Sequence, residues 1–272
     1  MIHHAKKSLG QNFLKSKTAI SAILDAGDIH ADDIVLEIGP GKGALTGRLT
    51  LLAGKVIAIE KDSELISILE EKFSEEVATS KLDLKNGDIL EFDPEIMKFY
   101  KKPYKIIANI PYYITGAVLR KFLSSSNQPE LMVLVVQKEV ADRIVARDNK
   151  ESILSLSVKA YGTPKYVMKV QKRFFSPEPR VDSAIIAISN ISKANFKNKK
   201  EEDWFFDIIK AGFAHKRKVL RKNLEEVSSA ENIAVAFSKL SINEKSRAED
   251  IPLSKWLLMA EFLSPKKASP DA

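Results

Sequence analysis

The chain has 272 residues, room for one sizeable domain and a smaller one, and 44% of them are hydrophobic, so a well-buried core is within reach. It has no cysteine, which excludes disulfides, zinc–thiolate sites and thiol nucleophiles and suits a reducing cytoplasm, and His3, His4, His30 and His215 lack ligand spacing, so no metal is expected. No apolar run approaches the ~20 residues of a membrane span, the first dozen residues are too polar for a signal-peptide core, and a net charge of +7 suits an acidic partner.

Along the chain, apolar runs rich in β-branched residues at 34–38, 55–60 and 104–110 each end in a cluster of Gly, Asp, Asn or Pro and read as buried strands. The run at 131–137 has the same character, and a weaker strand fits at 82–87. Helical periodicity fills 45–53, 63–73 and 115–124, and this alternation predicts an α/β fold, a parallel sheet with helices on both faces. Residues 152–161 fit helix or strand by spacing, with helix preferred, and 166–170 and 184–189 read as a final strand pair around the proline-bearing stretch 174–182. Composition turns polar and basic after Asn190, as a linker would, and 202–214, 217–227, 230–237 and 254–262 are helical by period. The expected organisation is a catalytic α/β domain over 1–190 and a small all-helical domain over 191–272, with 264–272 disordered.

The first strand runs into Glu37-Ile38-Gly39-Pro40-Gly41-Lys42-Gly43, where glycines allow a ligand to approach the backbone before a helix begins. By spacing alone, Gly39, Gly41 and Ala44 also satisfy the dinucleotide fingerprint, with Glu60 as the ribose acid, and a ligand-free turn would use the same glycines. Charge separates the ligands. A carboxylate at Glu37 repels a pyrophosphate and favours S-adenosylmethionine, which carries a sulfonium and an ammonium. Asp88, after the weaker strand, is placed to accept a hydrogen bond from an adenine amino group.

Asn109-Ile110-Pro111-Tyr112 follows the next strand and therefore stands on the same carboxyl edge. An adenine amine is a weak nucleophile, since its lone pair is delocalised into the ring. The Asn109 side-chain oxygen and the Ile110 carbonyl supply two acceptors for its hydrogens, Pro111 stiffens the backbone, and Tyr112 offers a flat face to a base removed from its stack. Catalysis of this kind is positioning, without metal or covalent intermediate. A strand-ending turn capped by Asn and stopped by Pro is the plainer reading of the same four residues.

The segments 7–14 (Lys-Ser-Leu-Gly-Gln-Asn-Phe-Leu), 37–43, Glu60, Gly87-Asp88, 109–112 and 175–183 (Phe-Ser-Pro-Glu-Pro-Arg-Val-Asp-Ser), in order and spacing, resemble the ribosomal RNA adenine N6,N6-dimethyltransferase family, most of all its bacterial small-subunit type. The likeness covers residues 6 to about 224, and Glu178 is a minor variation within it. It implies a Rossmann-like class I methyltransferase sheet and dimethylation of two adjacent adenines in the 3′-terminal hairpin loop of 16S rRNA, in a pre-30S particle. It also implies a cytoplasmic, monomeric enzyme with a role in ribosome biogenesis. By that resemblance Asn12, Leu14, Gly39, Glu60, Asp88 and Asn109 contact the methyl donor or line its pocket, and Tyr112 and Phe175 sandwich the target base. Taken without the resemblance, Phe174 and Phe175 read as a loop pinned into the core.

Basic residues gather at Lys6, Lys7, Lys15 and Lys17 and again at Lys210, Lys216, Arg217, Lys218, Arg221 and Lys222, with the second group expected on a helix that presents them to RNA phosphates. A large-subunit rRNA methyltransferase of the erythromycin-resistance type is the nearest rival. An NAD-dependent oxidoreductase leaves 109–112 and the basic stretch unexplained, and an RNA-binding assembly factor without catalysis leaves Glu37, Asn109 and Tyr112 unexplained.

Overall fold

A computed structural model describes residues 4–264; the end of the expected disordered tail, from residue 265, lies outside them. Two compact units are resolved, one formed by residues 1–145 and 162–192 and the other by 146–161 and 193–272.

In the first unit the elements are β1 (Phe13–Leu14), α1 (Lys17–Gly27), β2 (Ile34–Ile38), α2 (Thr46–Leu52), β3 (Lys55–Glu60), α3 (Ser63–Lys72), α4 (Ser74–Ala78), β4 (Leu82–Asn86), β5 (Tyr104–Asn109), α5 (Thr115–Leu123), β6 (Leu131–Gln137) and α6 (Lys138–Val145). After α7 (Ile153–Lys159), which belongs to the second unit, come β7 (Thr163–Val170), β8 (Phe175–Ser176) and β9 (Ser183–Ser189). Seven strands form one mixed α/β sheet in the order β4-β3-β2-β5-β6-β9-β7. The pairs from β4 to β6 are parallel, and β9 joins β6 and β7 antiparallel.

Packing explains why the central strands are apolar without interruption. One face sets Val35, Val56, Ala58, Ile107, Val133 and Ile185 against Ala19 and Ile23 of α1, Leu49 of α2 and Leu69 of α3. The intervening Leu36, Ile57, Ile59, Ile106, Met132 and Leu134 are buried as well, so helices and loops cover both faces, as parallel sheets require. Chain direction reverses its progress across the sheet between β2 and β5, with β3 on one side of β2 and β5 on the other. The carboxyl ends flanking such a switch point leave a crevice for ligands.

The second unit contains α7, α8 (Lys199–Gly212), α9 (Leu220–Leu224), α10 (Ala230–Lys239) and α11 (Leu253–Phe262). Ser152 and Ser155 form a reciprocal capping box at the start of α7, which settles 152–161 as helix. The basic stretch after Asn190 is irregular but held: Phe196 packs 5.7 Å from Tyr161 and 5.3 Å from Phe205, ring centre to ring centre, and Asn195 Nδ2 donates to the Ala160 carbonyl at 2.7 Å.

One expectation fails here. Residues 214–218 are turn and bend, and the helix expected over 217–227 shrinks to the five residues of α9. Four consecutive basic or imidazole side chains supply no acidic partner one turn away to support a helix. Asn223, 1% exposed, instead donates from Nδ2 to the carbonyls of Gly212 at 2.6 Å and His215 at 3.1 Å, fixing a turn after α8.

Candidate active site

At the carboxyl edge, three strand ends are tied together by backbone bonds. Gly39 N donates to the Ile59 carbonyl and Gly87 N to the Glu60 carbonyl, each at 2.9 Å. Over them opens a cavity of about 380 Å³ lined by Asn12, Leu14, Glu37, Gly39, Gly41, Glu60, Asp88, Asn109 and Tyr112, nine of the residues singled out above, which the fold collects from five separate stretches of chain.

The glycines divide their work. Gly39 (φ +66°) has no atom within 4 Å of where a Cβ would stand, so its bare backbone faces open space, the condition for close ligand approach. Gly43 (φ +73°) does not line the cavity. A Cβ there would lie 2.5 Å from Phe73 Cε2 and 2.9 Å from Leu69 Cδ2, so this glycine lets α3 close on the loop, correcting its assignment to ligand contact.

Glu37 is 1% exposed, and its Oε2 finds no hydrogen-bond partner among the described residues. Burial pushes its carboxyl up to about 8, and the charge of Glu60 adds to this while Thr46 pulls the other way. An uncompensated buried acceptor of this kind is costly unless a donor or a cation completes it. Glu60 is nearly buried too: Oε2 accepts from Gly41 N at 3.1 Å and Oε1 from Asp62 N at 3.0 Å, and burial raises its pKa against those bonds. Asp88 accepts from Leu90 N at 2.9 Å and from Lys61 Nζ at 2.8 Å, and that lysine holds its carboxyl below the ordinary range.

On the acceptor side, Asn109 Nδ2 donates to the Asn12 carbonyl at 3.0 Å. This bond orients the amide and leaves its oxygen as the acceptor. Tyr112 OH bonds Ser183 Oγ at 2.6 Å, locking the ring at the cavity wall, and burial raises its phenol pKa. Phe175 does not join it. The ring is 2% exposed inside the core cluster, because β8 pairs with β1 through Leu14↔Phe175, so the second base wall is not met and the core reading of this residue holds.

Two lining residues went unnoticed in the sequence, Tyr113, 63% exposed at the cavity rim, and Lys61; Gln11 and Phe13, which stand in the 7–14 segment without an assigned role, line the cavity too. Lys6, grouped above with the N-terminal basic residues, is paired with Asp62 at 2.7 Å and Glu64 at 3.0 Å.

Residues 2–264 match the ribosomal RNA adenine dimethylase family. Ribosomal RNA small subunit methyltransferase A of Dehalococcoides mccartyi (strain 195) is 40% identical over 257 residues, covering 94% of this chain and 87% of that protein. Its namesake in Fusobacterium nucleatum is 38% identical over 255 residues, covering 93% and 95%. Among solved structures, the 23S rRNA methyltransferase ErmE superposes with a TM-score of 0.77 at 25% identity, covering 93% of this chain and 99% of that one. A dimethyladenosine transferase from Plasmodium falciparum gives 0.76 at 26%, covering 91% and 95%. The sheet is therefore that of the Rossmann-like rRNA methyltransferases, and the chain belongs to the ribosomal RNA adenine dimethylase family.

Proposed function

We propose that this protein is a small-subunit (16S) rRNA adenine N6,N6-dimethyltransferase that modifies two adjacent adenines in the 3′-terminal hairpin loop, using S-adenosylmethionine, within a pre-30S particle in the cytoplasm. The single observation that carries the reading is the Asn109 amide: with Nδ2 engaged on Asn12, its oxygen is committed as an acceptor beside a cavity lined by Glu37, a buried carboxyl whose Oε2 has no partner among the described residues. Identity of about 40% to small-subunit enzymes, against 25% to ErmE, supports the small-subunit substrate over the large-subunit one.

The cavity suits the methyl donor. Glu37 supplies a negative group for a cationic ligand, Glu60 has lone pairs left for ribose hydroxyls, the bare Gly39 backbone permits contact, and Asn12, Leu14, Gly41 and Asp88 complete the enclosure. When bound, S-adenosylmethionine supplies a methyl group on a positively charged sulfur. Asn109 and the Ile110 carbonyl hold the two hydrogens of the adenine amine, aiming the nitrogen lone pair along the cavity, while Tyr112 supports the base from its face. Held this way, the nitrogen would accept the methyl group in exchange for one of its protons, which would leave to water. In the second unit, Lys216, Arg217 and Lys218 are exposed on the 214–218 turn and supply phosphate contacts that give affinity without choosing the sequence. We take this unit as the RNA-holding domain and the working protein as a monomer.

The test is incubation with labelled S-adenosylmethionine and small subunits lacking the modification, followed by digestion of the RNA to nucleosides. N6,N6-dimethyladenosine is expected with the wild type and not with Asn109→Ala. Label confined to nucleosides other than N6-methylated adenosines, or undiminished label with the variant, overturns the reading.

A further inference from the structure

Asp62 lies two residues beyond Glu60 and caps α3 by accepting from Glu64 N at 3.2 Å through Oδ1. Capping needs one neutral oxygen, and Ser, Thr or Asn would serve as well. Yet a carboxylate stands here 2% exposed, where an unpaired charge is costly. Its partners come from far along the chain: Lys6 Nζ donates to Oδ1 at 2.7 Å and Gln11 Nε2 to Oδ2 at 2.8 Å, and Lys6 N donates to Gln11 Oε1 at 2.7 Å, closing the stretch between them into a turn.

That stretch leads directly into the site. Residues 9–14 form one wall of the cavity. Its middle is bound to the acceptor side through Asn109 Nδ2 and the Asn12 carbonyl, and its end through Lys15 N donating to the Phe174 carbonyl at 2.8 Å. Gly10 (φ +63°) lets the wall pass close to Tyr113, whose ring atoms would lie 3.2 Å from a Cβ at that position. Beside the Asp62 contacts, the donor side holds the wall through an exposed pair, Lys6 with Glu64 at 3.0 Å, and through Lys42 Nζ over the Phe13 ring at 5.0 Å, whereas Asp62 is the buried anchor. Asp62 N also donates to Glu60 Oε1, so the latch and the donor-side carboxylate share one turn.

We propose that Asp62 is a positioning residue for donor binding: through Lys6 and Gln11 it holds residues 6–12 as the wall that encloses the donor cavity, without touching the ligand itself. The proposal rests on the reading of this cavity as the S-adenosylmethionine site. It predicts that opening the latch weakens donor binding and raises KM for the donor, while kcat at saturating donor stays within about threefold, because the Asn109–Asn12 bond and the β1–β8 pair still hold the acceptor end.

The experiment compares wild type, Lys6→Met and Lys6→Arg, which keeps a donor for Asp62. Calorimetry with S-adenosylhomocysteine reads affinity, and hydrogen exchange of amides 7–12 without ligand reads the wall. The Lys6 side chain lies outside both the cavity lining and the α3 cap, and the thermal midpoint verifies folding. Lys6→Met is expected to lose affinity about fivefold with faster exchange, and Lys6→Arg to stay within about twofold of wild type in both. Unchanged exchange, or faster exchange with affinity within twofold of wild type, overturns the proposal. Failure of the wild type to bind S-adenosylhomocysteine sinks the donor-site reading, and with it the assigned role, whereas the exchange result still reports on the latch.

Discussion

Glu37 gives the most quantitative consequence of the site. With its carboxyl pushed up to about 8 by burial, roughly nine molecules in ten carry it neutral at pH 7. A cationic ligand favours the carboxylate, so donor binding expels a proton. If the bound-state pKa falls well below 6, the affinity of wild type rises nearly fiftyfold between pH 6 and pH 8 and levels off above. Glu37→Gln mimics the protonated form, so its affinity should lie below wild type already at pH 6 and fall progressively further behind up to about pH 8. Subtracting the variant's curve also removes any titration of the ligand's own amine. Calorimetry in two buffers of different ionisation enthalpy counts the protons, with close to one released by wild type at pH 7 and none attributable to this site in the variant. Stability runs the opposite way. The folded protein holds a proton that the unfolded chain releases near 4.5, so the contribution of Glu37 to stability falls as pH rises through the window up to about 8 and is flat beyond it. Glu37→Gln should remove that decline in the thermal midpoint. Parallel affinity curves for wild type and variant between pH 6 and 8.5 would refute the reasoning.

Three other outcomes follow from the geometry. Gly39→Ala places an L-residue at φ +66° without a clash and should destabilise by about 1–2 kcal/mol; Gly43→Ala adds overpacking against Phe73 and should lower the thermal midpoint about twice as far, yet only Gly39→Ala should abolish S-adenosylhomocysteine binding in protein that remains folded. Tyr112→Phe removes the bond to Ser183 and keeps the ring, so kcat should drop less than about tenfold, whereas Tyr112→Ala should cost about a hundredfold or more in a methyl-transfer assay. Replacing Lys216, Arg217 and Lys218 together by Gln should reduce the salt dependence of RNA binding, by about 2 in the slope of log affinity against log salt, and leave S-adenosylhomocysteine affinity unchanged; an unaltered slope would remove this turn from the interface.

The central sheet was legible because its physics is local. β2, β3 and β6 begin and end where the apolar runs at 34–38, 55–60 and 131–137 do, since a strand buried on both faces is apolar along nearly its whole length and stops where Gly or charged residues begin. By contrast, 213–224 interleaves basic and apolar positions as an amphipathic helix would, and a buried Asn223, reaching back to Gly212 and His215, makes 214–218 a turn. α1 was overlooked because the lysines around it drew the reading towards charge, although Ser16 caps it through a bond to Ala19 N. The common cause is distance: helix periodicity reports what neighbours do, and these segments are decided by partners elsewhere in the chain.

The site shows the same division. Glu37, Gly39, Glu60, Asp88 and Asn109 could be assembled from sequence because each stands at or near a strand end, in a motif whose chemistry is visible residue by residue, whereas Asn12 came only from the family resemblance. Phe175 could not be placed that way: a phenylalanine before a proline-rich loop looks the same as a base platform or as a core anchor, and only the pairing of β8 with β1 decides for the core. Asp62 was missed for the converse reason. Locally it is an ordinary helix cap, and its importance comes from Lys6, 56 positions away. Where a residue type has a common structural use, its functional use becomes visible through what it has in excess of that use. For Asp62 this is a second buried oxygen and a charge that capping does not require, and for Glu37 an oxygen with no partner at all among the described residues.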